Sequence, residues 1–521
     1  MRIPLFSKDY PFRSRNIDCV PFVNWVPELD PVTGELLWLV NTPGYSVFSN
    51  IGAVPGNVRA LSVMKNKLYA VCGSGLYRID STGATTTLGT LDSIYSDIWM
   101  CNSGSELFIT DGACGYIYSE EDSLTQITDP DFPSAVAAIF IDGYFIAVQS
   151  GTGKFYISNL YDGTSWDALD FTTAEGNPDN AIALLDDHRE IWVFGENSIE
   201  PFYNSGDVDF VFERISGGYI EKGCGAAMSP AKADNSVIWL GDDKLVYRAA
   251  GYTPQVISSP GLNYEIGGYS TISDARGFAY TIEGHTFYVL TFPTEKKTWA
   301  YDFSTRLWHR RTGFPDMGRD RSNCHAKCYG KNLVGDYELG IIYEVDFSNY
   351  SDDGNDIPKR WTSSTIGDGK TMIYFSELQA LFETGVGLTP EYATWDTGDT
   401  YNTGDAVTHG GNFYESATDS NQGNEPPDDA NWTLLTDLSD LNVAEDPQAV
   451  LEYSDDDGQT WSNERWASIG KIGEYCKRVV WRMLGRARNR IFRITVTDSV
   501  KTILKGADIN LRAGRSSPKN G

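Results

Sequence analysis

The chain has 521 residues, 41% hydrophobic and 13% aromatic, with a formal net charge of −29. That length suits roughly two to four domains, and the global acidity argues against a nucleic-acid clamp, which needs basic surface. No apolar run reaches the ~18 residues that span a membrane, and MRIPLFSKDYPFRSRN lacks an apolar signal core, so neither membrane insertion nor a secretory leader is expected.

Residues 1–57 are Pro-rich and irregular, with VPELDPVTG and NTPG, and read as an N-terminal arm. Seven times between residues 65 and 347 an apolar strand then runs into a Gly or Asp turn, and a second strand carrying a Tyr follows. LYAVCG then GLYRID is the first instance and KNLVGD then GIIYEV the last. The marker tyrosines are Tyr77, Tyr118, Tyr156, Tyr203, Tyr247, Tyr301 and Tyr343, spaced by 41, 38, 47, 44, 54 and 42 residues. Periods of ~40–50 residues made only of strands predict propeller blades of four antiparallel strands. A lone hairpin cannot bury its apolar face, whereas radial stacking gives every face a neighbour. The expected fold is all-β, with an about seven-bladed β-propeller over residues 58–348. Six or eight blades remain open, and a large sandwich ranks second.

A polar linker, YSDDGNDIPKR, follows, then the strand-like run TMIYFSELQALFETG. Residues 349–390 read as the first part of a β-sandwich and 437–521 as its second part with a basic end. Between them, residues 391–436 read as a small β module inserted at a loop tip, where insertions are tolerated.

Charge is segregated here. Residues 391–457 hold 17 Asp/Glu and no Lys or Arg, while 470–521 hold 13 Lys/Arg against 3 Asp/Glu, a net of +10 that leaves −39 elsewhere. Within the basic end, GRARNR places Arg486, Arg488 and Arg490 on one face if extended, with Arg478, Arg482 and Arg493 nearby. This cationic ridge is a candidate subunit or partner contact through carboxylate pairing; a solvated face is the alternative.

SDDDGQTW matches the Asp-box through Ser454, Asp456, Gly458, Thr460 and Trp461. It predicts a self-contained hairpin in which the Asp accepts backbone N–H groups, Gly takes positive φ and Trp packs beneath. Its expected role is structural.

Catalytic signals are weak. Five histidines occur, none in a G-x-S-x-G or H-E-x-x-H context. DGKT at 368–371 lacks the first Gly of a phosphate loop, with Ser364 in its place. Cys324 and Cys328 form a C-x3-C that fits no strong zinc spacing, and the eight cysteines show no paired framework. Neither a catalytic residue, a cofactor nor a metal is expected.

Several phrases in order resemble the packaged-DNA stabilisation proteins of short-tailed phages, also called the tail hub or nozzle. They are NIDCVPFVNWVPE and NTPG, VRALSVMKNKLYAVCGSGLYRI, SNLYDGTSWDALDF, GCGAA, GHTFYVLTFP, YFSELQALFETG, YSDDDGQTW and RVVWRMLGRARNRIFRIT. The resemblance implies a propeller joined to a β-sandwich and a homohexameric ring below the portal and adaptor. It implies tail needle, plug or tailspike proteins nearby, transient passage of double-stranded DNA, and no enzymatic activity. The implied location is the virion tail, assembled in the host cytoplasm. Residues 391–434 depart from that family and resemble a chitin-binding module of carbohydrate-binding families 5 and 12. Trp395, Tyr401, Tyr414 and Trp432 match its skeleton, as core aromatics or as contacts to a host surface glycan. A glycan-binding or sialidase-like propeller is therefore the alternative function.

Overall fold

The structure is a computed structural model that describes residues 1–5, 21–30, 32–52, 56–94, 96–120, 123–207, 210–385, 394–410, 412–428, 430–435 and 446–514. The chain divides into two compact units, residues 8–34 with 41–361, and residues 1–7 with 35–40 and 362–521.

In the larger unit six of the tyrosine-marked segments fold into four-stranded antiparallel blades and the seventh supplies three strands of another, with the marker tyrosine on the third strand every time. Blade 1 comprises Val58–Met64, Lys67–Cys72, Gly75–Ile79 and Thr85–Thr90. Blades 2 to 6 occupy residues 99–126, 135–173, 181–214, 231–256 and 276–311. The local cause is turn chemistry. In six blades the first two strands join through two residues that both have positive φ: Lys65-Asn66, Asp142-Gly143, His188-Arg189, Asp234-Asn235, Glu283-Gly284 and Tyr329-Gly330. That is the type I′ geometry, whose twist matches the strands it connects.

Blade 7 takes three strands from its own segment, Ser322–Cys328, Lys331–Asp336 and Ile341–Asp346. Its fourth is Gly44–Asn50, inside the segment read from sequence as an arm. Val47 stands opposite the marker Tyr343, and Tyr45 stacks on Tyr343 with centroids 5.7 Å apart. The Tyr45 hydroxyl donates to Asp320 at 2.6 Å.

The cores lie between blades. Tyr69, Leu107 and Tyr118 fill the space between blades 1 and 2, Phe108, Phe145 and Trp166 that between 2 and 3, and Phe155, Val193 and Phe202 that between 3 and 4. Trp192, Phe194 and Trp239 join blades 4 and 5, and Leu240, Tyr288 and Trp299 join 5 and 6. Tyr280 and Phe278 of blade 6 pack against the ring of His325 in blade 7. Leu68, Ala70, Leu333 and Ile342 then close blade 7 on blade 1. Each such side chain contributes about 1.5–3 kcal/mol of burial. Gly335 sits at this closure because a Cβ there would lie 2.4 Å from Val58.

In the smaller unit, Ile503–Ala513 pairs with Ile373–Phe382, which pairs with Val479–Arg482 and Arg486–Ala487. Arg2–Ile3 and Leu36–Asn41 pair with the other edge of Ile503–Ala513. A second sheet contains Arg465–Ser468, Gln448–Ser454 and Asn489–Val496. Phe375 of the first sheet meets Phe492 of the second at 5.8 Å, the contact of a sandwich core. Residues 394–435 carry separate small sheets, Ala406–His409 with Asn412–Ser416 and Trp432–Leu434, and Thr400–Tyr401 with Asn421–Gln422. Among the described residues no helix is long and apolar enough to cross a membrane.

Candidate interaction surface

The Asp-box forms the expected hairpin. Asp456 accepts from the Thr460 amide at 2.9 Å and from its hydroxyl at 2.6 Å, and Ser454 accepts from the Gly458 amide at 2.8 Å. Gly458 has φ +88°. The Thr460 and Ser454 hydrogen bonds hold the Asp456 carboxyl down at about 2. Trp461 is half-buried, and the Arg493 guanidinium lies 3.8 Å over its ring.

The arginines of the basic end do not share one face. Arg490 is buried and clasps Asp455, beside the box aspartate, through Nε at 2.6 Å and Nη2 at 2.7 Å. Its guanidinium also lies over Tyr453 and Phe375. Arg493 pairs with Glu452. The expected ridge of Arg486, Arg488 and Arg490 is thus corrected, and the reason is a change of sheet. Arg486–Ala487 pairs with Ile373–Phe382 in the first sheet, whereas Asn489–Val496 belongs to the second. The period-two alternation breaks at Arg488, and Arg490 turns inward.

What the structure assembles instead is the outer face of the first sheet. Tyr374 stands opposite Arg486 on one neighbouring strand and Arg512 on the other. Glu377 stands opposite Arg482 and Asn510, and Asp508 opposite Gln379 and Arg2. Residues directly opposite share a face. Arg482 Nε donates to Glu377 at 2.9 Å, and Arg478 donates to Gln379 at 2.7 Å. The face therefore holds Arg2, Arg478, Arg482, Arg486 and Arg512 against Glu377 and Asp508. No carboxylate among the described residues pairs with Arg486, Arg488 or Arg512, and Tyr374 is 48% exposed. Sequence reasoning missed Arg2, Tyr374, Glu377 and Arg512. Their grouping depends on pairing between segments more than a hundred residues apart, and no local signal carries it.

In the inserted module Tyr401, Val407, Tyr414 and Trp432 form a buried core against which Trp395 packs half-buried. Trp432 donates its Nε1 to the Asn424 carbonyl at 2.7 Å, and its ring meets Tyr401 edge-on at 5.2 Å. Three of the four candidate aromatics are thus core.

Near the meeting point of the first strands of blades 1, 2, 6 and 7 a cavity of about 200 Å³ is lined by Arg59, Trp99, Arg276, Phe278 and His325. Buried Arg59 donates to the carbonyls of Gly73 at 2.8 Å, Ser93 at 2.7 Å and Ser96 at 3.0 Å. Arg276 reaches across from blade 6 to Asp97. Among the described residues no group of three or more His, Cys, Asp or Glu could hold a metal ion.

A ring of tyrosine-marked blades followed by a two-sheet sandwich, with charge concentrated on a sheet face, defines a phage structural protein once the family models are set beside it. The model described as Bacteriophage P22 Gp10, beta-propeller, matches residues 1–350, and that described as Bacteriophage P22 Gp10, beta-sandwich, matches residues 431–512. The chain belongs to this family of phage DNA-stabilisation proteins. Residues 351–430, with most of the module, lie outside both models. No curated protein matches the chain. Among solved structures it is similar to the computationally designed Ika8 protein, at 8% identity and TM-score 0.38 over 57% of this chain and 99% of that one. It is also similar to PorZ of Porphyromonas gingivalis, at 10% and 0.36 over 75% and 54%. A third is BamB of Moraxella catarrhalis, at 9% and 0.37 over 66% and 95%.

Proposed function

We propose that the chain is a non-enzymatic structural protein of a phage tail, a homohexameric hub or nozzle below the portal–adaptor complex. It retains packaged DNA and forms part of the exit channel. The observation that carries this reading is the ordered match of both family models, propeller then sandwich. Needle, plug or tailspike proteins are its neighbours, and it reaches the virion tail after assembly in the host cytoplasm. A net charge of −29 suits a wall past which DNA slides, because each phosphate is repelled and none is held. Asp and Glu then outnumber Lys and Arg around the axis, the sandwich lines it, and the arginine face turns toward another subunit.

The test is native mass combined with low-resolution imaging of the purified particle. Six copies of the 57.7 kDa chain in a ring at the tail are expected. A monomer that cleaves a sialoside or binds a host glycan would establish the alternative. That alternative draws on the inserted module, yet Tyr401, Tyr414 and Trp432 are committed to its core.

A further inference from the structure

Two oppositely charged surfaces in the smaller unit leave each other unpaired. The sheet face described above carries five arginines against two carboxylates, a net of +3. The inserted module carries seven carboxylates and no Lys or Arg over its described residues 394–435. Among the described residues of one copy no ion pair joins them. The one basic ring of the module that meets a carboxylate among the described residues is His409, whose Nε2 lies 3.3 Å from Glu425. The arginines that do pair on the face, Arg478 and Arg482, converge on the one carboxylate Glu377. Arg486 and Arg512 flank the exposed ring of Tyr374, and neither has an acidic partner among the described residues.

We propose that this face is the docking site for the acidic module of a second copy of the chain, an inference that rests on the hub reading. The contact joins different patches on the two copies, which is a heterologous interface that closes into a ring when the rotation permits. The sheet suits the task. Its backbone is fixed by strand pairing, so the guanidinium groups are held in rows, and an arginine fork binds a carboxylate through two parallel hydrogen bonds. Tyr374 supplies an amphipathic ring between Arg486 and Arg512, the residue type enriched in interfaces. Among the module's carboxylates, Asp399 and Glu425 are exposed, and neither accepts a backbone hydrogen bond that the module's fold needs. An insertion outside the family models would thus lock neighbours together around a family-type ring.

The test is a charge swap in the full chain, read by sedimentation at several salt concentrations. Arg486→Glu with Arg512→Glu should raise the protein concentration needed for assembly by about tenfold or more, and so should Asp399→Lys with Glu425→Lys. All four substitutions together should restore most of the loss, because the reversed charges again attract. Wild-type assembly should weaken as salt screens the pairs. Assembly of both double variants at the wild-type concentration, or a quadruple variant no better than either, overturns the docking site and leaves the hub reading standing. A wild-type chain that stays monomeric at every concentration overturns both. Binding of duplex DNA by the wild type that is lost in Arg486→Glu with Arg512→Glu would reassign the face to nucleic acid.

Discussion

Arg490 and Asp455 bind each other through two hydrogen bonds, Nε to Oδ1 at 2.6 Å and Nη2 to Oδ2 at 2.7 Å, with the arginine 2% exposed and the aspartate 44%. The pair ties the basic GRARNR segment to the Asp-box hairpin inside the sandwich, so two motifs that look independent in sequence form one structural joint. Arg490→Ala leaves Asp455 partly solvated, but it empties a buried site over Tyr453 and Phe375 and strips the Leu484 carbonyl of its donor. It should destabilise the sandwich by about 2–4 kcal/mol, while Arg486→Ala should stay within about 0.5 kcal/mol. Denaturant unfolding of the full chain compares the two directly, and equal effects would show that Arg490 is not the joint.

The Asp-box predicts a specific acid response. The Asp456 carboxyl is held at about 2, below the ordinary aspartate range, by the Thr460 and Ser454 hydrogen bonds. A depressed carboxyl adds stability that is complete above the unfolded value near 4 and is lost as pH falls through about 2. Exchange protection of the Thr460 amide should hold from neutral pH to about 4 and fall below it. Asp456→Asn should abolish that pH step.

Blade 6 predicts the opposite sign. His285 Nδ1 lies 2.8 Å from the fully buried Asp302, and this hydrogen bond raises the imidazole above its usual value. A raised histidine contributes fully below its unfolded value near 6.5 and loses that contribution as pH rises through the higher folded value. The melting temperature of the wild type, compared with His285→Gln, should lose its advantage between mildly acidic and alkaline pH. A pH-independent difference would assign the pair a packing role only.

In the cavity lined by blades 1, 2, 6 and 7, Arg59 and Arg276 should differ. Arg59 satisfies three backbone carbonyls, one in a buried bond and two in part-buried ones, so Arg59→Met should cost about 2–3 kcal/mol in unmet acceptors. The Asp97 partner of Arg276 is 54% exposed, so Arg276→Gln should cost about 1 kcal/mol or less. Thermal unfolding followed by tryptophan fluorescence separates them, since Trp99 lines the same cavity.

The module should behave as an appended unit. Replacing residues 391–434 with a short Gly/Ser join should leave the rest of the chain folded, because the module's core of Tyr401, Val407, Tyr414 and Trp432 is its own. Soluble yield and near-UV circular dichroism check this. Loss of soluble protein would make the module part of the sandwich core.

The sequence by itself determined the blades. Strand, two-residue turn and strand are local, so Lys65-Asn66 or Asp234-Asn235 sets its hairpin without help from distant chain, and the tyrosine period follows. The Asp-box was legible for the same reason, since Ser454 to Thr460 satisfy one another within seven residues. Only the tertiary structure decided which distant segments pair. Gly44–Asn50 completes a blade whose other strands begin at Ser322, and nothing in its composition names that partner. The arginines show the limit most clearly. Alternation assigns faces only while one strand stays in one sheet. The chain changes sheets between Ala487 and Asn489, so Arg486 faces out beside Tyr374 and Arg490 faces in toward Asp455.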